Sequence, residues 1–381
     1  MDDERVIGVH LATDTRHGRE MLLGILDYRD EVGTLRVERH DPHFLRRRAR
    51  SGALCGAVVI CTFDSRQALR RVRLPMVNVS AQCPPDQMPS VISDDYRIGQ
   101  IAGEYFRDRG YLHGAWAGIP GHYYSRRRRE GFAETLEAVG GRLHDLDEST
   151  GNLDGAGEIV MALRTRLVEL PRPLAVFACN DMRARLVARA CDAAGLTVPE
   201  EVAILGVDDD EVTCRLVRPS LSSIHTHTRR IGYTAARLLD DLLAGQAPPS
   251  EPIEVGPLSV SERLSSDAYA VSDPLLADAL RWIRQNVREN LKVEDVLDEF
   301  GVSRRTLELK FHKELGRTPL EEIRRSRIER AKTVLAETAW PMPRVAELAG
   351  FLDAKGFGTI FRRYVGMAPT EYRRKAQGRQ W

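Results

Sequence analysis

Residues 292–315 read K-V-E-D-V-L-D-E-F-G-V-S-R-R-T-L-E-L-K-F-H-K-E-L, and residues 345–364 read V-A-E-L-A-G-F-L-D-A-K-G-F-G-T-I-F-R-R-Y. Each stretch holds a short amphipathic helical pattern, a turn at a glycine (Gly301, Gly350) and a second helical pattern rich in cations. This is the helix-turn-helix plan in tandem, and a cationic second helix suits a major groove better than a catalytic pocket. Val296, Leu297, Val302, Leu307 and Phe311 fall on the apolar face and are expected to be core. Ser303, Arg304, Arg305, Thr306, Glu308 and Lys310 in the first unit are candidates for DNA contact. Lys355, Thr359, Arg362 and Arg363 are the candidates in the second. Gly356 and Gly358 interrupt the second recognition helix, and each costs a helix roughly 1 kcal/mol relative to alanine. The second unit is therefore expected to supply mainly phosphate contacts, with base reading left to the first.

Working outward, the whole chain of 381 residues is nearly neutral, but its charge is unevenly spread. From Pro274 onward there are 22 Lys and Arg against 15 Asp and Glu, so that part carries about +7 and the remainder about −6. A basic terminal module on an acidic body points to a polyanion partner at one end. The six cysteines all lie in the body and form no C-x-x-C pair. Several sit in apolar runs, so they read as small buried hydrophobes in a reducing compartment. The acidic start M-D-D-E-R is unlike a signal peptide, and no apolar stretch is long enough to span a bilayer.

The body alternates short apolar runs with helical patterns. Strands are expected at 5–11, 57–61, 76–79, 113–117, 174–178 and 202–207. Helices are expected at 19–28, 98–109, 128–139 and 182–194. Such alternation gives parallel sheets covered by helices, and the body is long enough for two lobes. From Gln246 to Ser272 the pattern loosens into Pro- and Ser-rich connecting sequence, and Asp273-Pro274 reads as the cap and first turn of the next helix. No P-loop, G-x-S-x-G, H-E-x-x-H or metal-spaced Cys/His cluster is present, so no catalytic, cofactor or metal residues are expected. The run Asp208, Asp209, Asp210 is not read as a metal site.

The strings S-R-R-T-L-E-x-x-F, G-R-T-P-L-E-E-I-R-R-S-R-I-E-R-A-K-T-V-L, V-A-x-x-x-G-F and G-M-A-P-T-E-Y-R-R, spread over 275–374, resemble the AraC-type DNA-binding domain. The resemblance puts Arg305 and Glu308 at positions where the family reads base edges. Arginine can pair with guanine in a fork, and glutamate can accept from cytosine. Leu309 stands where the family often has a cation and Thr359 where arginine is common, so base contacts are lost or changed there.

The body, over 5–243, resembles the sensor domain of the LacI/GalR regulators. The resemblance is carried by V-I-S-D-D-Y-R-I-G-Q, S-R-R-R-R-E-G-F, A-V-F-A-C-N-D-M-R-A, G-L-T-V-P-E-E-V-A-I-L-G-V-D-D and R-P-S-L-S-S-I, in that order. It implies a small polyol held by Asp94, Arg128, Asn180 and Asp208, since carboxylates accept, arginine donates in a fork and asparagine does both. Each carboxylate or amide also has a plain reading, as a helix cap or a turn cap. Arg126, Arg127 and Arg129 are expected to face solvent. The segment R-H-G-R-E-M-L-L-G-I-L-D-Y resembles the xylose-operon regulators, which join both kinds of domain, and it adds Asp14 and Arg16 as weaker candidates in the loop 13–19.

The expected architecture is an α/β two-lobed, periplasmic-binding-protein-like sensor with two parallel-sheet Rossmann-like lobes, plus an all-α tandem helix-turn-helix domain. The sensor is placed at 1–265, a linker at 266–274 and the DNA-binding domain at 275–381. The expected function is a cytoplasmic, sugar-controlled transcription regulator, an activator acting with RNA polymerase, with a pentose such as xylose bound between the lobes. It is expected to be a homodimer on double-stranded DNA, to stay off membranes and to be no enzyme. Alternatives are a sugar-binding protein without regulatory output and a repressor answering to another polyol.

Overall fold

A computed structural model describes residues 5–85, 88–146, 155–271, 273–287 and 290–376. The acidic start at 1–4 lies outside them. The chain begins β1 (Arg5–His10), α1 (Arg16–Val32), β2 (Leu35–Arg39), α2 (Pro42–Arg50), β3 (Gly56–Val59), α3 (Phe63–Leu69), β4 (Met76–Asn78) and β5 (Val91–Ser93). It continues with α4 (Asp95–Arg107), β6 (His113–Ala117), α5 (Tyr123–Glu137), β7 (Arg142–Asp145), α6 (Ala156–Glu169), β8 (Leu174–Ala178), α7 (Asp181–Ala194) and β9 (Val202–Val207). Then come α8 (Glu211–Leu216), β10 (Ser222–His225), α9 (Thr228–Leu243), β11 (Ile253–Val255) and β12 (Ser259–Ser261). After a 3-10 turn at Leu264–Ser266 the described chain is helical: α10 (Pro274–Asn286), α11 (Val293–Phe300), α12 (Arg304–Leu315), α13 (Pro319–Glu337), α14 (Met342–Leu348), α15 (Ala354–Val365) and α16 (Pro369–Ala376).

Two compact units result. One comprises residues 1–100, 118–132 and 226–257; the other comprises 101–117, 133–225 and 258–381. The first carries a parallel sheet in the order β2-β1-β3-β4, together with the parallel pair β11-β5. The second carries the order β12-β10-β9-β8-β6-β7, parallel except where β12 runs against β10. Every residue of β8 and β9 is buried, as central strands covered on both faces must be, which is why L-A-V-F-A and V-A-I-L-G-V read as continuous apolar runs. The four cysteines Cys83, Cys179, Cys191 and Cys214 are buried, Cys55 and Cys61 are half-buried, and all six are free thiols.

Several details depart from the sequence expectations. Helix α1 starts at Arg16, because Thr15 caps it by accepting from the Gly18 N–H, so the first loop is shorter than 13–19. The stretch 246–272 is more than a connection. Ile253-Glu-Val255 pairs with β5 and Ser259-Val-Ser261 joins the edge of the second sheet beside β10, each too brief to show a period of its own. Arg127 lies half-buried over the Tyr96 ring and pairs with Glu130, rather than facing solvent.

Residues 258–325 join the helical module to the second sheet through buried polar groups. Ser265 and Ser266 are fully buried. Ser265 receives the Ser222 N–H and donates to the Ile204 carbonyl, and Ser266 bonds Tyr105 at 2.7 Å. Glu262 is clasped by Arg109 and Arg284, and Arg284 also reaches Asp267 at 2.8 Å. Burial works against the Glu262 charge, but the two guanidinium groups outweigh it and hold the carboxyl below its usual range. The Arg109 guanidinium lies over the Tyr105 ring at 3.5 Å, and its carbonyl receives the Ala270 N–H. Asp108 accepts from Arg317 through its carbonyl and pairs with Arg325 through its side chain.

The helical module has one core per helix-turn-helix unit. Val296, Leu307 and Phe311 are fully buried in the first, with Leu297 and Val302 packed against them; Val345, Phe357 and Phe361 are buried in the second. Local signals set the helix ends. Asp273 accepts from the Leu276 N–H ahead of Pro274, Ser303 from Thr306, and Asp353 from Lys355 and Gly356. Gly301 closes α11 at φ 60°, a left-handed conformation that costs glycine little.

Candidate ligand-binding residues and nucleic-acid interface

In the first unit α4 and α5 touch at backbone level. A methyl group on Gly99 would lie 2.0 Å from the Arg128 carbonyl oxygen, and one on Gly131 would lie 2.1 Å from that of Tyr96. This approach explains the glycine of S-x-x-R-x-x-G-F, and it presents Arg128 to the start of α4. Arg128 is only 4% exposed; its Nε donates to Oδ1 of Asp95, itself 3% exposed, at 2.8 Å. The Tyr124 ring lies 4.9 Å beneath the guanidinium. Asp94 caps α4 by accepting from the Arg97 N–H, with a backbone tie to Val255. Asp14 is exposed ahead of α1, and Arg16 is half-buried at its first residue. His17 lies within α1, its Nδ1 3.3 Å from the Thr228 hydroxyl.

A cluster absent from the sequence expectations sits in the same unit. Phe63 packs against His122 with ring centroids 5.7 Å apart, and His122 against Tyr124 at 5.3 Å. Gln82 and Tyr124 each meet one His122 ring nitrogen at 3.3 Å. Burial holds the His122 pKa below its ordinary value, so the ring is neutral at pH 7. No single motif links Phe63 and Gln82 to the neighbouring His122 and Tyr124, from which they stand far apart in sequence.

In the second unit Asn180 follows β8 and caps α7, accepting from the Arg183 N–H at 2.8 Å. Asp208 follows β9 with φ 103°, a conformation that side-chain-bearing residues rarely adopt and that gathers at functional sites. Its two neighbours have structural tasks. Asp209 pairs with Arg263 at 2.7 Å and accepts from Ser261, whereas Asp210 caps α8. Asp181, also unanticipated, is 2% exposed; it accepts from the Ser223 hydroxyl at 2.6 Å and the Asp210 N–H at 2.8 Å. Burial first, and then the Asp208 charge, push its pKa up to about 8. Among the described residues no group of three or more His, Cys, Asp or Glu is placed to hold a metal, and no helix is long and apolar enough to cross a membrane.

In the helical module Arg304, Arg305, Thr306 and Glu308 line the exposed side of α12 beside an exposed Leu309. Ser303 is spent on the helix cap. Arg304 pairs with Glu294 and, at 3.7 Å, with Glu308; such surface pairs are worth about 0–1 kcal/mol and yield easily to phosphate. Lys310 is held by Asp273, the cap of α10. On α15, Lys355, Thr359, Arg362 and Arg363 are exposed, and the Thr359 hydroxyl donates back to the Lys355 carbonyl. Methyl groups would fit at both interior glycines: nothing lies within 4 Å at Gly358, and only the Asp353 carboxylate, at 3.5 Å, at Gly356.

Residues 104–266 match the periplasmic binding protein-like domain family, and residues 296–375 match the helix-turn-helix domain family. The xylose operon regulatory protein of Haemophilus influenzae is 31% identical over 288 residues, covering 75% of this chain and 74% of that protein. That of Escherichia coli K12 is 30% identical over 336 residues, covering 84% of each. The solved structure of a xylose-binding transcription activator superposes with a TM-score of 0.60 at 26% identity, covering 98% of this chain and 99% of that one.

Proposed function

Because the chain belongs to the family of xylose operon regulatory proteins, we propose that it binds DNA and regulates transcription under the control of a small sugar. Xylose is the favoured effector and activation the favoured output, in line with the xylose-binding activator whose structure it resembles. One observation carries this reading: a single alignment at 30% identity covers 84% of the chain, so it takes in both the α/β body and much of the helical module.

Residues 1–265 sense the sugar, 266–274 connect, and 275–381 bind DNA. Asp94 and Arg128, with Asp14 and Arg16, are the sugar-contacting candidates of the first unit; Asn180 and Asp208 are those of the second. Capping leaves Asp94 and Asn180 with acceptor capacity to spare, since a carboxylate or amide oxygen takes more than one hydrogen bond. The exposed faces of α12 and α15 meet the DNA. Arg305 and Glu308 read bases, and Lys355, Arg362 and Arg363 neutralise phosphate. The protein works in the cytoplasm as a homodimer and contacts RNA polymerase.

A gel-shift titration with DNA from beside its own gene, with and without D-xylose, L-arabinose and D-ribose, tests this reading. Sequence-specific binding whose affinity or footprint changes with one pentose is the expected result. Binding indifferent to every pentose would remove the sugar from the proposal.

A further inference from the structure

We infer that the amino edge of the first sheet, with Arg47, Arg50, Arg71 and Arg73, is a second DNA-contacting surface, which grips the phosphate backbone of double-stranded DNA without reading bases. This rests on the DNA-binding reading above and adds to it a surface on the sensor itself. Residues 36–73 hold ten arginines, no lysine and three carboxylates, so the stretch carries about +7, as much as the whole segment from Pro274 onward. The rest of the body carries about −13. Charge segregated so strongly within the body marks a surface for a polyanion.

The fold gathers these cations at one end. Strands β2, β1, β3 and β4 run parallel, so α2 and α3, which lead back to the starts of β3 and β4, both end at the amino edge of that sheet. Leu45 of α2 and Leu69 of α3 are fully buried in a shared core against the sheet. Arg47 and Arg50 lie exposed in the last turn of α2, and the Arg47 guanidinium is braced over the Phe44 ring at 4.4 Å. Burial of Leu69 and Val72 turns Arg71 and Arg73 outward. The three carboxylates sit towards the other end: Asp41 caps the start of α2, Asp64 lies in the first turn of α3, and Glu38, near the end of β2, is held by Arg48. Among the described residues no carboxylate lies within ion-pair distance of Arg47, Arg50, Arg71 or Arg73.

Cations at a helix C-terminus offset the helix dipole, but each such end carries only roughly half a negative charge. Two ends fall well short of four exposed guanidinium groups. A protein-docking face would carry apolar or aromatic anchors at its centre. Among the described residues from 36 to 90, Phe63 is the only exposed large hydrophobic, and it stands at the opposite end of α3. A face whose cations are all arginine, without such anchors, fits phosphate, to which the guanidinium fork donates two parallel hydrogen bonds. Duplex DNA held by the helical module raises the local concentration of phosphate for the rest of the chain, so a face of modest affinity is enough.

Affinity of the full chain for a duplex extended well beyond the recognised site, measured over a salt series, tests this. The combined variant Arg47→Gln, Arg50→Gln, Arg71→Gln and Arg73→Gln should lower the slope of log affinity against log salt by about two to four units, each phosphate contact being worth about 0.9. Base preference, D-xylose affinity and melting temperature should stay as they are, since all four side chains are exposed. Arg142, Arg164, Arg189 and Arg237 are exposed elsewhere on the body; changing these four to Gln removes the same charge and should leave the slope unchanged. Equal slopes in the first variant and the unaltered protein would overturn the second surface and leave the regulator reading standing. An equal fall in the control variant would also overturn it, since net charge alone would then explain the effect. Equal DNA slopes with a self-association lost in the first variant, seen by sedimentation, would overturn the DNA assignment and give the face to a second copy. No binding of the duplex by the unaltered protein overturns both.

Discussion

Arg128 and Asp95 form a buried ion pair, Nε to Oδ1 at 2.8 Å, at the point where α4 and α5 meet through Gly99 and Gly131. Removing one partner of such a pair strands the other charge, at a cost of about 3–5 kcal/mol. Arg128→Ala should therefore lower the melting temperature as well as sugar affinity. Arg128→Lys is the cleaner probe: it keeps a cation beside Asp95 but loses the planar fork. We expect it to fold, to bind D-xylose at least about tenfold more weakly, and to keep basal DNA affinity. Calorimetry and gel shift on the same preparation check both halves, and undiminished sugar affinity would remove Arg128 from the site.

Asp208→Asn and Asp209→Asn should separate binding from stability. Asp209 is committed to Arg263 and Ser261, so its amide variant should melt at a lower temperature with sugar affinity nearly unchanged. Asp208 holds a strained backbone at the end of β9, and its amide variant should lose sugar affinity with little change in melting temperature. The reverse pattern would make Asp208 structural.

Asp181 gives a pH signature. Its folded-state pKa is raised to about 8, so folding favours the protonated acid. The stability this confers is complete below the unfolded-state pKa of about 4 and is lost as pH rises towards 8. Asp181→Asn stays neutral throughout. The difference in melting temperature, variant minus unaltered protein, should grow from pH 5 to pH 8 and level off above that. A difference independent of pH would show that Asp181 is ionised in the folded protein.

Asp273→Asn should tighten DNA binding. Asparagine still caps α10, but the charge that holds Lys310 is gone. A released Lys310 adds about one phosphate contact, which should steepen the salt dependence of DNA affinity by about one unit. Affinities measured across a salt series would show an unchanged slope if Lys310 stays clear of the DNA.

The two recognition helices should divide their labour. Arg305→Ala is expected to relax base preference at one position, with a loss of about 1–3 kcal/mol of discrimination. Arg363→Ala should weaken all sites alike. Gly356→Ala and Gly358→Ala meet no clash and should each stiffen α15 by roughly 1 kcal/mol, tightening binding without changing the preferred site. Binding-site selection on the variants decides; a larger change of base preference in Arg363→Ala would invert the assignment.

What the sequence disclosed follows the range of each signal. The helical module was legible because its cues are local: Ser303 three residues before the N–H it caps, Gly301 at a left-handed turn, Phe311 one turn after Leu307. The central strands were legible because burial on both faces makes their sequence continuously apolar. Strands β11 and β12 were not, since three residues hold no period and their structure comes from the strands they pair with, β5 and β10. Asp181 escaped because its environment is assembled from β10 and the turn after β9, which the sheet order brings beside it. The Phe63 and His122 pairing escaped for the same reason.

The clasp of Glu262 by Arg109 and Arg284 bears on how this protein can be taken apart and recombined. Transplanting the helical module onto a foreign receptor by cutting at residue 275 would carry Arg284 away from the carboxylate it grips and part Tyr269 from Glu322, to which its hydroxyl donates at 2.9 Å. A chimera joined ahead of Ser259 would keep Glu262 with Arg284, provided the host supplies counterparts of Asp108 and Arg109 and of the β10 edge, Tyr105, Ser222 and Asp209 that residues 259–266 bind. Exchange of modules within such a lineage thus has a preferred border, upstream of where the helices begin.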